Sequence, residues 1–398
     1  MVLKTVGKPL SQVTLTTPQI RERQPLVDLS VYPDQLPSLI KRLYANRGVS
    51  DVAHLELGLG ALPRPEQLSG MAAAVDVLAS VVEQQKRLLI IGDFDADGAT
   101  STALVMRAMA QMGLQQVDYL VPNRFEYGYG LSPEIVAVAA EKRPDVLITV
   151  DNGIASIAGA EAALAAGYEL VITDHHLPGE TLPTANAIVN PNLPGDEFPT
   201  KNLAGVGVVF YVMLALRAEL KKRGWFDERP LPNLAELLDL VALGTVADVV
   251  PLDHCNRVLV EQGLRRIRAG RCVAGIRALL EVGKRDSTQA VASDLGFTVG
   301  PRLNAAGRLD DMSQGIECLL TDNETLAREM AGELQALNTE RRELEASMQA
   351  DATAIVDKLL VDKELLSDSA NLPAALCLYQ EDWHPGVVGL VAGRTKDR

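Results

Sequence analysis

Residues 88–98 have the sequence LLIIGDFDADG, in which four apolar residues precede a glycine and three alternating aspartates. Short apolar runs bounded by turn residues are typical of strands that are buried on both faces of a parallel sheet. The pattern of an apolar run and a closing aspartate returns at residues 146–151 and 170–174, and another apolar run lies at 117–121. Helical stretches separate these runs. The sequence therefore predicts an α/β fold built from βαβ units around a parallel sheet.

The whole chain divides into four predicted parts. They are a lead segment over residues 1–70 with a short amphipathic helix at 35–46, an α/β domain over 71–252, a helical region with a long connecting helix over 253–366, and the start of a further domain over 367–398. Thr321 and Glu324 are spaced as the N-cap and N3 residues of a capping box that would open the long helix. A strand is expected at residues 374–379.

Length and composition are those of a globular protein. The 398 residues suggest roughly two or three domains. Apolar residues make up 47% and charged residues 23% of the chain, which excludes a disordered or fibrous class. The four cysteines form no C-x-x-C pair, which argues against a zinc ribbon and fits a reducing compartment. The first residues show no signal peptide, and the uncharged runs are shorter than the about 18 residues that a bilayer requires. We therefore expect a cytoplasmic protein without membrane contact.

The net charge of −14 argues against a binder that holds nucleic acid by overall charge, because phosphate contacts need lysine and arginine. The charge does not exclude a local basic groove. Acidic residues at a metal site would add to this negative total and would still help to bind a phosphodiester through the metal.

Acidic clusters stand at four places. They are Asp93, Asp95 and Asp97; Asp151, Asn152 and Gly153; Asp174, His175 and His176; and Asp248. Any one of them alone is also explained as a polar turn or a helix cap. The first three, however, directly follow predicted strands, and the carboxyl ends of parallel strands share one edge of a sheet. Carboxylates gathered there would repel one another unless divalent cations neutralised them.

Oxygen ligands with one or two imidazoles and no thiolate suit Mn²⁺, and Mg²⁺ less specifically. The carboxylates are numerous enough for two ions bridged by one aspartate, which is the usual arrangement for hydrolysing phosphate esters. An EF-hand is disfavoured, because position 12 of a loop starting at Asp93 would be Leu104 instead of glutamate. P-loop, Rossmann and nucleophile-elbow motifs are missing from the sequence as well.

The order DxDxDG, D-N-G, D-H-H and a later aspartate resembles the DHH phosphoesterase superfamily. Longer stretches are similar to the RecJ family of bacterial single-stranded-DNA-specific exonucleases. These stretches are residues 118–132 (DYLVPNRFEYGYGLS), 173–178 (TDHHLP), 203–208 (LAGVGV), 240–252 (LVALGTVADVVPL) and 300–309 (GPRLNAAGRL).

The resemblance implies 5′→3′ hydrolysis of single-stranded DNA with two Mn²⁺ or Mg²⁺ ions, in recombinational and mismatch repair. Single-strand-binding protein and a helicase are the partners it implies. Matched by motif, the metal ligands are Asp95, Asp97, Asp151, His175 and Asp248, with Asp151 bridging and Asp93 nearby. His176 is the implied phosphate contact, and Asp174 stands with it as a catalytic residue. The implied substrate-binding residues are Arg124, Arg302, Asn304 and Arg308.

Two alternatives remain open. The same metal site could serve another DHH phosphoesterase that cuts oligoribonucleotides, cyclic dinucleotides or pyrophosphate. The chain could also be a non-catalytic DNA-binding scaffold, because members of the family continue into a complete DHHA1 domain with a Gly-Gly-His motif and an OB-fold. Here residues 383–394 resemble only the beginning of DHHA1. We therefore expect metal binding together with poor degradation of long single strands.

Overall fold

The computed structural model describes residues 22–361 and 375–397. One compact unit comprises Ala53–Asn338, and the other comprises the described residues on either side of it. All of the acidic clusters belong to the larger unit. The predicted boundary at residue 367 lies outside the described residues, as do residues 1–21 of the predicted lead segment.

A sheet of five parallel strands forms the centre of the larger unit, with the strand order β2-β1-β3-β4-β5. The strands are β1 (Leu88–Ile91), β2 (Val117–Leu120), β3 (Val146–Val150), β4 (Glu169–Thr173) and β5 (Ala187–Val189). The predicted α/β class is confirmed. The chain runs from β1 to its neighbour β2 on one side and then returns to β3 on the other side of β1. The strand order therefore reverses between β1 and β3. Ligands of open α/β sheets bind at the carboxyl ends of the strands at such a reversal.

Helices make up most of the rest of the described residues. They are α1 (Ser38–Ala45), α2 (Met71–Gln84), α3 (Ala96–Gln111), α4 (Pro133–Glu141), α5 (Ile157–Ala165), α6 (Gly205–Lys222), α7 (Leu238–Ala247), α8 (His254–Arg268), α9 (Ala274–Val282), α10 (Ala292–Asp294), α11 (Gly300–Leu309), α12 (Ser313–Leu320), α13 (Glu324–Val361) and α14 (Val388–Lys396). Helices α1, α14 and the second half of α13 belong to the smaller unit, and the others to the larger one. A π-helical turn, Leu295–Val299, joins α10 to α11. Short 3-10 turns lie at Leu29–Val31, Val52–Leu55, Leu59–Ala61, Pro65–Gln67, Leu234–Leu237 and Ser287–Gln289.

Both faces of the sheet are buried, which explains the uninterrupted apolar strands. Leu88 and Ile90 of β1 pack into the larger core with residues of α2, α3, α6 and α7. Leu89 and Ile91 alternate to the opposite face, where they pack with Ile135 of α4 and with residues of α5. The sheet therefore lies between two layers of helices, and its carboxyl edge is held rigidly from both sides.

Two local predictions are wrong. The long helix α13 begins at Glu324, and its cap is Asn323, whose side-chain oxygen accepts hydrogen bonds from the N–H groups of Thr325 and Leu326. Thr321 accepts instead from the N–H of Asn323, so the predicted capping box does not form. The described residues 375–379 form no strand, because a strand requires a hydrogen-bonded neighbour and none of the described segments pairs with them.

Helix α1 confirms the predicted helix in the lead segment. Within the described ranges, no helix combines the length and the apolar character that crossing a membrane requires.

Candidate metal centre

The strand register brings the three acidic segments to one edge of the sheet. Ile91 of β1 lies beside Thr149 of β3, and Val150 lies beside Thr173 of β4. The residues that follow these strands therefore leave the sheet at the same level. Asn152 ties two of the ends together, because its amide group donates to the carbonyls of Ile91 and Val150 at 3.0 and 2.9 Å.

The DxDxDG segment forms the turn from β1 into α3. Asp95 is the N-cap of α3, and its carboxylate accepts from the N–H groups of Asp97 and Gly98 at 2.9 and 3.0 Å. This cap starts α3 at Ala96, inside the acidic motif. Asp93 is 5% exposed and accepts from the N–H of Phe94 at 2.7 Å. A Cβ atom at Gly98 would lie 2.6 Å from the Asp93 side chain, so only glycine permits this turn.

Asp97 joins the first turn of α3 to the start of α6. Its carboxylate accepts from the N–H groups of Gly205 and Val206 at 2.6 and 2.9 Å. Unpaired N–H groups at a helix N-terminus stabilise a carboxylate there. Gly205 is required for this approach, because a Cβ atom would lie 2.6 Å from the Asp151 carboxylate. The start of α6 thus lies beside two aspartates, Asp97 in the first turn of α3 and Asp151 after β3.

Asp151 follows β3 with a left-handed backbone, at a φ of 61°. Its side chain is buried, and Oδ1 has no hydrogen-bond partner among the described residues. His175 Nε2 lies 3.1 Å from that oxygen and 3.5 Å from Oδ2 of Asp248 at the end of α7, and it also has no hydrogen-bond partner in the described part. Buried polar atoms are nearly always paired in folded proteins. These two atoms are therefore placed as ligand atoms would be.

Asp174, by contrast, is fully engaged with its own loop. One oxygen accepts from the N–H groups of His175 and His176 and lies 2.7 Å from Nδ1 of His176. The other oxygen accepts from the N–H of Ile154 at 2.9 Å. Asn190 and Asn192 hold the same loop by donating to the carbonyls of His176 and His175.

The pKa shifts in the site differ between the crowded aspartates and the two histidines with Asp174. Burial, together with the nearby charge of Asp95, raises the pKa of Asp93 and that of Asp248 to about 7. Burial and neighbouring aspartates raise the pKa values of Asp97 and Asp151 well above the usual range. The aspartates are thus crowded and short of positive charge.

The histidines and Asp174 behave differently from those aspartates. The hydrogen bond between His176 and Asp174 raises the pKa of His176 to about 9. Burial opposes ionisation of Asp174, but its contacts with His176 outweigh burial and lower its pKa. Burial and the neighbouring His176 lower the pKa of His175. A neutral His175 is the form that can bind a metal ion.

Three overlapping sets of side chains have ligand atoms within 4.8 Å of one another. The sets are Asp93, Asp95 and Asp151; Asp97, His175 and Asp248; and Asp151, His175 and His176. Asp151 and His175 each belong to two sets. Carboxylate oxygens with imidazole nitrogens and no thiolate suit Mn²⁺ and Mg²⁺. The residues therefore fit a centre for two divalent cations, and each predicted metal ligand lies in it.

The predicted substrate-binding residues occupy different positions. Arg124 stacks on the ring of Phe94, with its guanidinium carbon 3.9 Å from the ring centre. Burial and the nearby charge of Arg308 lower the pKa of Arg124, whereas Asp93 and Asp95 raise it. These two arginines are therefore near each other and near the acidic centre.

Arg302 and Asn304 make structural contacts. The Arg302 guanidinium donates to the carbonyl of Thr298, one turn earlier. The amide oxygen of Asn304 accepts from the N–H of Ala96 at 2.7 Å, so α11 positions the start of α3. Gly307 makes this packing possible, because a Cβ atom there would collide with the Phe94 carbonyl. The substrate roles of both residues stay predictions.

Tyr129 is a residue of the site that the sequence did not indicate. Its hydroxyl donates to the carbonyl of Asp151 at 3.2 Å, and its ring meets Phe94 and His176 edge to face, at centre distances of 5.7 and 6.2 Å. Burial and the surrounding aspartates raise its pKa, so the hydroxyl stays protonated. The only sequence signal was an aromatic residue between two glycines in a loop after β2.

A parallel sheet with DxDxDG, D-N-G and D-H-H at its carboxyl edge defines a protein of the DHH class, and the DHH family, N-terminal domain, matches residues 87–245. A single-stranded-DNA-specific exonuclease RecJ of Dickeya dadantii (strain 3937) is 57% identical over 94% of this chain and 64% of its own length. The protein of the same name from Escherichia coli (strain K12) is 55% identical over 96% of this chain and 65% of its own length.

Solved structures agree with these relatives. A crystal structure of an exonuclease RecJ bound to manganese has a TM-score of 0.68 and 37% identity, over 82% of this chain and 77% of that one. RecJ from Thermus thermophilus in complex with Mn²⁺ has a TM-score of 0.71 and 35% identity, over 89% of this chain and 48% of that one. The chain belongs to the RecJ family. It spans just under two thirds of the length of the two curated relatives described above.

Proposed function

We propose that the chain hydrolyses phosphodiesters of single-stranded DNA from the 5′ end, using two divalent cations, Mn²⁺ or Mg²⁺. One observation carries the proposal: Oδ1 of Asp151 and Nε2 of His175 are buried without hydrogen-bond partners among the described residues, where the ligand sets overlap. The relatives, which are named single-stranded-DNA-specific exonucleases, support single-stranded DNA as the substrate, and the manganese-bound structures support the metal. The 5′→3′ direction rests on the resemblance of the motifs.

In this proposal Asp151 is shared by the two ions. Asp93 and Asp95 complete one set of ligands with it, and Asp97, His175 and Asp248 form the other. Two bound cations would supply an activated water and stabilise the attacking and leaving oxygens of the phosphodiester. The contacts of Asp97 with the N–H groups of α6 keep its carboxylate in place before any ion binds.

His176 is the proposed contact to the substrate phosphate. Its side chain is 48% exposed, whereas that of His175 is 12% exposed, so it can reach a ligand from solvent. Asp174 fixes the ring through the 2.7 Å contact to Nδ1, which directs Nε2 outward as a donor. Asp174 thus acts through His176 as a positioning residue.

Arg124 and Arg308 are the proposed phosphate contacts beside the acidic centre. Arg124 is close enough to Arg308, Asp93 and Asp95 for their charges to shift its pKa, so it stands beside the centre to which a substrate phosphate would come. Planar guanidinium groups also suit bidentate binding of phosphate. We also propose that Arg302 and Asn304 contact the substrate, but with a smaller contribution to binding, because both already have partners within the fold.

The wider context is part of the same proposal. It includes a role in DNA recombination and repair, a cytoplasmic location, and contacts with single-strand-binding protein and a helicase, all of which rest on the resemblance of the motifs.

The test is a digestion of single-stranded DNA that carries a label at its 3′ end, with Mn²⁺ and with EDTA. We expect labelled fragments that shorten from the 5′ end, mononucleotide products, and no reaction in EDTA. Parallel reactions contain RNA, a cyclic dinucleotide and pyrophosphate. If any of these three compounds is hydrolysed faster than the DNA, that compound is the substrate and the proposed DNA substrate is wrong.

Arg124→Ala and Arg308→Ala should weaken binding of the strand and flatten its dependence on salt, because each phosphate contact adds to the salt slope. Arg223→Ala is the control, because Arg223 pairs with Asp76, Glu83 and Glu219 on α2 and α6. Equal salt slopes in all three variants and the wild type would contradict the assignment.

A further inference from the structure

Three apolar side chains of the described residues are more than four-fifths exposed, and two of them directly follow residues of the candidate metal centre along the chain. Leu177 is 81% exposed, and Val249 and Phe297 are each 84% exposed. Leu177 directly follows His176, and Val249 directly follows Asp248. We call these three residues the apolar rim. Single exposed apolar residues are common on protein surfaces, but a group of them beside one site indicates a binding surface.

Phe297 lies in the π-helical turn, which packs closely against the end of α7. A Cβ atom at Gly296 would lie 3.2 Å from Cγ1 of Val246, and one at Gly300 would lie 3.1 Å from Cβ of Ala247. Glycine at both positions thus lets the turn lie against the last residues of α7, directly before Asp248. Single π-helical turns inside helices occur frequently at functional sites.

Val249 adds a second, independent observation. Its backbone has a φ of 63°, which is unusual for a β-branched residue. The conformation turns the chain at the end of α7 and leaves the Val249 side chain in solvent instead of in the core. Residues held in sparsely populated backbone conformations cluster at active sites and ligand clamps.

We propose that the apolar rim binds the bases of the single strand next to the phosphodiester that is cut, and that Phe297 stacks on one base. This inference rests on the proposed function, since it names the part of the substrate that the metal ligands do not contact. Aromatic side chains hold single-stranded nucleic acid by stacking, which tolerates every base. The rim therefore complements Arg124 and Arg308, which bear the charge that phosphates require.

A nucleobase fits the rim better than a protein partner does. The rim is small, two of its residues directly follow residues of the metal centre along the chain, and the Arg302 guanidinium donates to the carbonyl of Thr298, the residue after Phe297. A protein docking site would be larger and would not need to adjoin the metal ligands.

The experiment measures the affinity of a 5′-phosphorylated single strand by fluorescence anisotropy, with Ca²⁺ in place of Mn²⁺ so that the strand is not cut. One abasic nucleotide is moved stepwise through the first positions of the strand. We expect the wild-type chain to bind about tenfold more weakly when the abasic position is the stacked one. Phe297→Ala should bind the intact strand about as weakly, and it should no longer respond to the abasic nucleotide.

Matched variants separate stacking from a general loss of apolar surface. Phe297→Trp should keep the response to the abasic nucleotide, whereas Phe297→Leu should lose most of it. Leu231→Ala is the control, because Leu231 is 43% exposed in a loop of the same unit and neighbours no predicted metal ligand along the chain. Circular dichroism of each variant checks that the fold is kept.

The outcomes distinguish the inference from the function on which it rests. If the wild type binds the strand and Phe297→Ala binds it equally well, the inference is wrong and the proposed function stands. The inference is also wrong if Phe297→Ala weakens intact and abasic strands by the same factor, as loss of a protein-like apolar contact would. If the wild type neither binds nor cuts the strand, the proposed function fails, and the inference fails with it.

Discussion

Two buried aspartates, Asp151 and Asp174, follow strands β3 and β4 and differ in their hydrogen bonds and in the direction of their pKa shifts. Asp151 and Asp174 are 2% and 1% exposed and lie at adjacent strand ends. Asp174 accepts hydrogen bonds from its own loop and from Ile154, and its pKa is lowered. Oδ1 of Asp151 has no hydrogen-bond partner among the described residues, and the pKa of Asp151 is raised. The fold therefore supplies hydrogen-bond partners for Asp174, whereas it leaves Oδ1 of Asp151 without one among the described residues.

Sequence alone gives both aspartates the same pattern, since each closes an apolar strand. The difference teaches that two such residues can be told apart by the hydrogen bonds that their carboxylates accept, because a buried carboxylate oxygen without donors is costly. It is no general test for a ligand, since Asp97 accepts two hydrogen bonds and still belongs to a ligand set. If the difference between Asp151 and Asp174 controls stability and activity, substitutions of the two residues should have different effects on both.

The largest effect is expected from Asp151→Asn. The substitution should lower hydrolysis in Mn²⁺ by more than about a hundredfold, a larger loss than removing a supporting residue gives. It should also raise the melting temperature of the metal-free chain, because it removes one charge from a crowded group. A nuclease assay and a metal-free thermal melt measure the two effects. Retention of a tenth of the wild-type activity would contradict the shared-ligand role.

Asp174→Asn should have an intermediate effect with the opposite sign on stability. Loss of the contacts to His176 should reduce activity by about ten- to a hundredfold, as for residues that orient metal ligands. Unfolding free energy should fall by about 1–3 kcal/mol, because buried N–H groups lose a charged acceptor. Thermal melts of both variants decide the comparison. A higher melting temperature for Asp174→Asn would show that the two aspartates do not differ as described.

The stabilisation that Mn²⁺ provides should increase with pH. The folded-state pKa values of Asp93 and Asp248 are about 7, above the usual value of 3.8. Their contribution to stability without metal is therefore fully present below about pH 4 and is lost as the pH rises through about 7. Because metal ions bind the deprotonated carboxylates, the rise in melting temperature on adding Mn²⁺ should be larger at about pH 8 than at about pH 5.5. An equal rise at both pH values would count against an acidic metal centre.

The smallest effect is expected from Tyr129→Phe, which removes the hydroxyl that donates to the Asp151 carbonyl. Loss of one hydrogen bond should weaken Mn²⁺ binding by about two- to tenfold. Calorimetry measures the affinity. Tyr119→Phe is the control, because the Tyr119 hydroxyl contacts Glu317, which belongs to none of the metal-ligand sets found among the described residues. A similar loss in both variants would mean that Tyr129 does not support Asp151.

The sheet could be predicted because its determinants are local. Each central strand is a short apolar run that ends at a glycine or an aspartate, and strands β1 and β3 have the predicted bounds. The motifs also predicted that the aspartates share one edge of the sheet, although the register of the strands was unknown. This prediction needs only parallel strands, because their carboxyl ends lie at the same edge of the sheet.

Contacts between distant segments could not be predicted. The N–H groups of α6 that hold Asp97, and the Asn304 amide that holds Ala96, lie more than a hundred residues away along the chain. The Asn323 cap was missed for a different reason. Thr321 and Glu324 matched a capping pattern, but Asn323 stands directly before the helix and accepts two of its N–H groups.

Crystals of the chain grown with Mn²⁺, with diffraction recorded at the manganese absorption edge, test the central claim most directly. The anomalous map should show two peaks at the carboxyl edge of the sheet, with the Asp151 carboxylate between them and Nε2 of His175 at one of them. A map with no peak at Asp151, or with a single ion held by Asp174, would contradict the account.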